Sequence, residues 1–109
     1  MPYVAIFEDD AYPCINCKCE LENVLLNIPS DSGFILLGWS EFTRFKNQNF
    51  HNKFNKINTI FSGSHSYIIF ENEYDNYLNY IKSHPSTTAD GTIYTIINNS
   101  YTIDEPIFI

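Results

Sequence analysis

Residues 33–39, Gly-Phe-Ile-Leu-Leu-Gly-Trp, run seven positions without a charge or a strongly polar side chain. A stretch that short falls well below the roughly 20 apolar residues that span a bilayer. It also lacks the alternation of a strand with one wet face, so it reads as a strand covered on both faces in the middle of a sheet. Tyr3–Phe7 (YVAIF) has the same character between Pro2 and three acids, and is read as a second central strand. Between them Pro13 can open a helix, because its missing N–H costs nothing in a first turn, and Pro29 can stop one after Ile28. The result is a strand, helix, strand unit.

Further along, Phe50, Phe54 and Ile57 are spaced i, i+4, i+7 with Lys53 and Lys56 beside them, which predicts a short basic helix. Residues 66–70 (SYIIF) predict a strand. Asn72 with Asp75 three residues on is a variant of the capping box, and Tyr74, Tyr77, Leu78 and Ile81 then form an apolar stripe expected to face the core until His84-Pro85 ends the helix. In residues 92–109 two alternating runs surround Asn98-Asn99, whose tolerance of positive φ suits a hairpin turn, with a short apolar tail behind them. The 109 residues are the size of one domain. The expectation is therefore a single α+β domain over 1–109, with a mixed or mainly antiparallel sheet, about three helices and a C-terminal hairpin.

Cys14, Cys17 and Cys19 fall within six positions ahead of an apolar run. On a helix, Cys14 and Cys17 share an arc of roughly 100° with Leu21, Val24, Leu25 and Ile28, while Cys19 lies on the polar side, so the three thiols cannot converge on one ion. A zinc knuckle would need a non-helical segment and a fourth ligand from His51, His65 or His84, all distant in sequence. A dithiol redox pair has the right C-x-x-C spacing but not the lead-in of thioredoxin-like proteins. The three are read as buried or half-exposed free thiols, with a small metal- or thiol-dependent domain as the alternative. An odd cysteine count and no signal-like N-terminal stretch point to a reducing, cytoplasmic setting.

Catalytic constellations are sparse. In residues 63–66 (GSHS) the neighbours Ser64, His65 and Ser66 would point to opposite strand faces, and the stretch is not a nucleophile elbow. No Gly-rich phosphate loop or metal-ligand series occurs, so the expectation is a protein that is not an enzyme and needs no cofactor or metal.

Charge is the feature left to explain. Thirteen acids against six bases give a net charge of −7. Nucleic acid and anionic membranes are poor partners for that field, whereas a basic protein would be steered toward it. The acids cluster as Glu8-Asp9-Asp10, as Glu71, Glu73 and Asp75, and as Asp104-Glu105, while residues 44–70 carry four bases and no acid. Tyr80, at the edge of the 73–83 stripe near Glu73, offers ring area beside carboxylates, the composition of a protein-binding hot spot. Glu71, Glu73, Asp75 and Tyr80 are the favoured partner-binding residues, with Glu8, Asp9, Asp10, Asp104 and Glu105 in a weaker set.

By this character the chain resembles the immunity proteins of bacterial toxin systems. Its segment 71–85 (ENEYDNYLNYIKSHP) is similar to the acidic, tyrosine-bearing segments with which nuclease immunity proteins grip basic toxins. The likeness covers one helix and the overall composition. It implies a cytoplasmic inhibitor whose partner is a basic toxin nuclease domain, and phage-encoded inhibitors of CRISPR nucleases share the same character.

Overall fold

The computed structural model describes residues 2–39, 54–57, 64–84, 97, 99–103 and 106–108. Among them the strands are β1 (Tyr3–Phe7), β2 (Phe34–Trp39), β3 (Phe54–Lys56), β4 (Ser64–Phe70) and β5 (Ser100–Ile103), with helices α1 (Cys17–Leu26) and α2 (Tyr74–Ser83) and a 3-10 turn at Glu71–Glu73 leading into α2. The sheet order is β1-β4-β2-β5-β3. β4 runs antiparallel to both β1 and β2, β5 lies parallel to β2, and the three-residue β3 closes the far edge antiparallel to β5. The domain is thus α+β with a mixed sheet and two helices, and its radius of gyration of 13.1 Å is that of one compact unit of this length.

Strand β2 is buried along its whole length, as its unbroken apolar run requires. Opposite residues of neighbouring strands share a face. Phe34, Leu36, Tyr67 and Ile69 therefore line one side of the sheet, and Ile35, Ile68, Phe70 and Ser66 the other. Phe34 stacks on Tyr67 at 5.4 Å between ring centres. Each of these apolar side chains contributes about 1.5–3 kcal/mol by leaving water.

A bulge follows Leu36, where the β2–β4 register shifts on either side of Gly38. It leaves the Leu37 carbonyl free of the ladder, and that oxygen accepts the N–H groups of Ile107 and Phe108 at 2.9 and 3.4 Å. The apolar tail is pinned from its other side as well, since Cys14 N–H donates to the Ile107 carbonyl at 2.9 Å and Pro13 bridges Phe108. Gly38 is what allows the tail so close. A Cβ there would lie 2.5 Å from the Phe108 carbonyl oxygen and 2.9 Å from Ser66 Oγ.

Several expectations are corrected. β1 is an edge strand and mostly exposed, not central, because β4 separates it from β2 and, among the described residues, only one of its edges is paired. The short basic helix expected within residues 44–57 is replaced at Phe54–Lys56 by a strand. There, pairing with β5 and packing of the buried Phe54 ring against Tyr101 outweigh the helical spacing; residues 44–53 lie outside the described residues. α1 begins at Cys17, since the backbone of Pro13 and Cys14 is spent on the tail, and Asn16 enters the helix in the left-handed conformation at φ 65°. Asn72 does not cap α2. The residues around it form the 3-10 turn, and Glu73 occupies the cap position without its side chain capping the helix backbone. Tyr74 and Tyr77 do pack on the core, but Leu78 and Ile81 stay 50% and 44% exposed.

The C-terminal hairpin is also corrected for β5, whose two edges are already taken by β2 and β3. Residues 92–96, most of its expected first arm, lie outside the described residues, while Asn99 has the positive φ anticipated for it, 56°. No helix among the described residues is long and apolar enough to cross a membrane.

Two predictions follow from this packing. Gly38→Ala drives a methyl group into a backbone carbonyl and should cost about 1–3 kcal/mol, read as a lower denaturant midpoint at unchanged slope. The buried Tyr101 hydroxyl donates to Asp31 Oδ1 at 2.9 Å, and burial first, then that bond and the Asp31 charge, push its pKa up to about 12. The native state therefore holds a proton that the unfolded chain releases near pH 10. The stabilisation is complete below about pH 10 and is lost as pH rises toward about 12. Tyr101→Phe should flatten that part of the stability profile and cost about 1 kcal/mol at neutral pH.

Candidate protein interface

The two best-defined acid clusters sit at opposite ends of β1. At its C-terminal end the chain turns through Glu8, Asp9 and Asp10, all exposed, with Glu8 N–H donating to the His65 carbonyl at 2.8 Å and Ala11 N–H to the Glu8 carbonyl at 3.1 Å. At the other end β4 leaves the sheet into the 3-10 turn and α2, and Glu71 N–H donates to the Pro2 carbonyl at 3.0 Å. Glu71 and Asp75 are exposed, and Glu73 is half-buried with Oε2 accepting from Asn76 Nδ2 at 3.2 Å. Six residue steps of extended chain lead from Pro2 to Glu8, so the backbone anchors of the two clusters stand about 20 Å apart. The structure does not bring them together. It places them as two negative poles on one edge.

Between the poles lies a bare strand edge. Antiparallel pairs alternate between bonded and non-bonded. The bonds at Pro2–Glu71 and Glu8–His65 fix the phase, so Val4 and Ile6 bond β4, and Tyr3, Ala5 and Phe7 turn their N–H and C=O outward. Among the described residues nothing pairs with that outer edge. Its side chains are apolar and wet, with Tyr3, Val4 and Phe7 at 43%, 48% and 47% exposure. Tyr3 also lines a cavity of about 480 Å³ with Leu25, Ile28, Pro29 and Phe70, where the end of α1 stands over the sheet.

Tyr80 is half-buried and its ring stacks on His84 at 4.2 Å, while His84 N–H closes the end of α2 on the Tyr80 and Ile81 carbonyls at 3.0 and 3.3 Å. It shares α2 with Asp75, five residues earlier, which at about 100° per residue turns the two side chains roughly 140° apart around the helix. Asp104 and Glu105 lie outside the described residues, as does His51. Of the basic segment, Lys56 donates to Asn99 Oδ1 at 3.0 Å and lies over the Tyr101 ring.

Glu8, Asp10 and His65 form the one group of possible metal ligands among the described residues, their donor atoms all within 4.8 Å of one another and His65 Nδ1 3.5 Å from Glu8 Oε1. Three donors, two of them on exposed side chains, fall short of a closed four-ligand site. The cysteines are free, but Cys14 lies ahead of α1 rather than on the helical arc expected for it. Cys14 and Cys17 pack partly against the core, and Cys19 is exposed. Burial and the neighbouring Cys14 raise the Cys17 pKa, against a smaller lowering by its backbone hydrogen bond to Cys14.

What sequence reasoning missed is the edge itself. A signal was present, in that an apolar strand closed by proline on one side and three acids on the other has the flanks of a guarded edge. No family model, no curated protein and no solved structure matches the chain.

The thiol arrangement is directly testable. Alkylation of the folded protein near neutral pH, followed by peptide mass mapping, should label Cys19 first and Cys17 last, because a raised pKa and partial burial both deplete the reactive thiolate. Labelling of Cys17 at the rate of Cys19 would contradict the placement.

Proposed function

We propose that this protein is an acidic inhibitor that binds and neutralises a basic protein partner, and that the partner is the nuclease domain of a bacterial toxin, met in the cytoplasm. The observation that carries the proposal is the pair of largely exposed acidic clusters, Glu8-Asp9-Asp10 and Glu71, Glu73 and Asp75, whose backbone anchors lie about 20 Å apart at the two ends of β1. A nuclease surface built to hold phosphates is basic, and carboxylates at that spacing can occupy it while the net charge of −7 steers the encounter. Occlusion requires no chemistry of the inhibitor, so no catalytic residue or cofactor is assigned.

The test is capture of the product of the adjacent gene, followed as an association rate. Raising ionic strength from about 0.1 M to about 1 M shortens the screening length from about 10 Å to about 3 Å, and should slow association by about tenfold or more. Reversing Glu73→Lys together with Asp75→Lys should slow it comparably at low salt with a smaller change in dissociation rate. Capture indifferent to both salt and reversal would overturn the proposal.

A further inference from the structure

We infer that β1 is a docking edge which takes an extended strand of the partner, apolar in its middle and basic at both ends, as an added strand of the sheet. This rests on the proposed function in assuming a basic protein partner, and it specifies how that partner is held. Three outward N–H and three outward C=O groups, at Tyr3, Ala5 and Phe7, stand ready in the geometry of strand addition. The flanking side chains Tyr3, Val4 and Phe7 are exposed and offer apolar contact on both sheet faces. The cavity beside Tyr3 has room for a bulky side chain of the incoming strand, and such pockets supply specificity in strand addition.

Charge decides which strand can dock. A second copy of this chain is the obvious competitor, since identical edges pair readily about a two-fold axis. Antiparallel pairing of two β1 edges would set Glu8-Asp9-Asp10 of one copy toward Glu71, Glu73 and Asp75 of the other, at both ends of the ladder. Parallel pairing would set each cluster toward its own copy. Either way acids meet acids, whereas a strand with basic ends spaced about 20 Å apart meets a counter-charge at each pole.

The experiment uses the full chain and two synthetic peptides of alternating threonine and valine, one with a pair of lysines at each end and one with a pair of glutamates, followed by amide hydrogen exchange. The lysine-ended peptide should bind and, well above its Kd, slow exchange at Tyr3, Ala5 and Phe7 by at least about tenfold. Val4 and Ile6, already bonded to β4, should change little, and the glutamate-ended peptide should not bind. N-methylation of the lysine peptide's edge-facing amides should abolish binding with the protein untouched. Ala5→Pro, which removes an outward donor and leaves the β4 ladder intact, should do the same in a variant whose thermal transition is preserved.

Binding of the lysine peptide without protection at Tyr3, Ala5 and Phe7, or insensitive to N-methylation, would overturn strand addition while leaving the charge-based function standing. Equal binding of both peptides would overturn the role of the poles in selecting the strand. Concentration-dependent dimerisation that protects the same three amides would assign the edge to a second copy and overturn the inference.

Discussion

Everything in this fold hangs on the two-sided burial of β2. Phe34–Trp39 cannot face water on either side, so the sheet must pair both of its edges and cover both of its faces. β4 takes one edge and β5 the other. The bulge after Leu36 then redirects one carbonyl out of the ladder, and the tail answers it through Ile107 and Phe108, which in turn hold the chain at Pro13-Cys14 and fix where α1 can begin. A single apolar run thereby dictates the start of a helix twenty residues upstream and the course of a tail seventy residues downstream.

Placing β4 between β1 and β2 has the opposite consequence for β1. The strand that supplies β1 with a ladder also removes it from the centre, and with no second neighbour among the described residues its outer backbone groups meet solvent. Proteins usually disarm such an edge by putting a charge or proline inside the strand or by covering it. Here the interior Tyr3–Phe7 carries neither, and the guarding residues stand at the ends, Pro2 on one side and Glu8-Asp9-Asp10 on the other.

Much of this was legible beforehand, and the failures have a common cause. The burial of β2, the existence of both helices and the opposite placement of Cys17 and Cys19 on α1 follow from local periodicity, which a sequence displays. The edge position of β1 does not, because YVAIF reads identically whether one or two strands flank it. Phe54 and Ile57 fit a helical stripe as readily as a strand, and only pairing with β5 decides the matter. Leu78 and Ile81 continue a well-formed stripe beyond the point where the core ends. The acid clusters were visible as clusters, but their placement at the two ends of β1 is a property of the β1–β4 register, which links residues 59 to 67 positions apart.

Guarding an edge at its ends differs physically from guarding it in the middle. A charge within the strand would oppose every incoming strand, because any partner must desolvate it when the ladder forms. Charges at the ends stay in water, cost little to a partner that matches them, and penalise one that repeats their sign. The central donors and acceptors are left without a charge beside them, so an end-guarded edge would keep its capacity to pair with a matching strand while disfavouring a second copy of itself. On the proposed reading, the same acids that would oppose pairing with a second copy would select what the edge binds, so self-avoidance and recognition would be two readouts of one charge pattern.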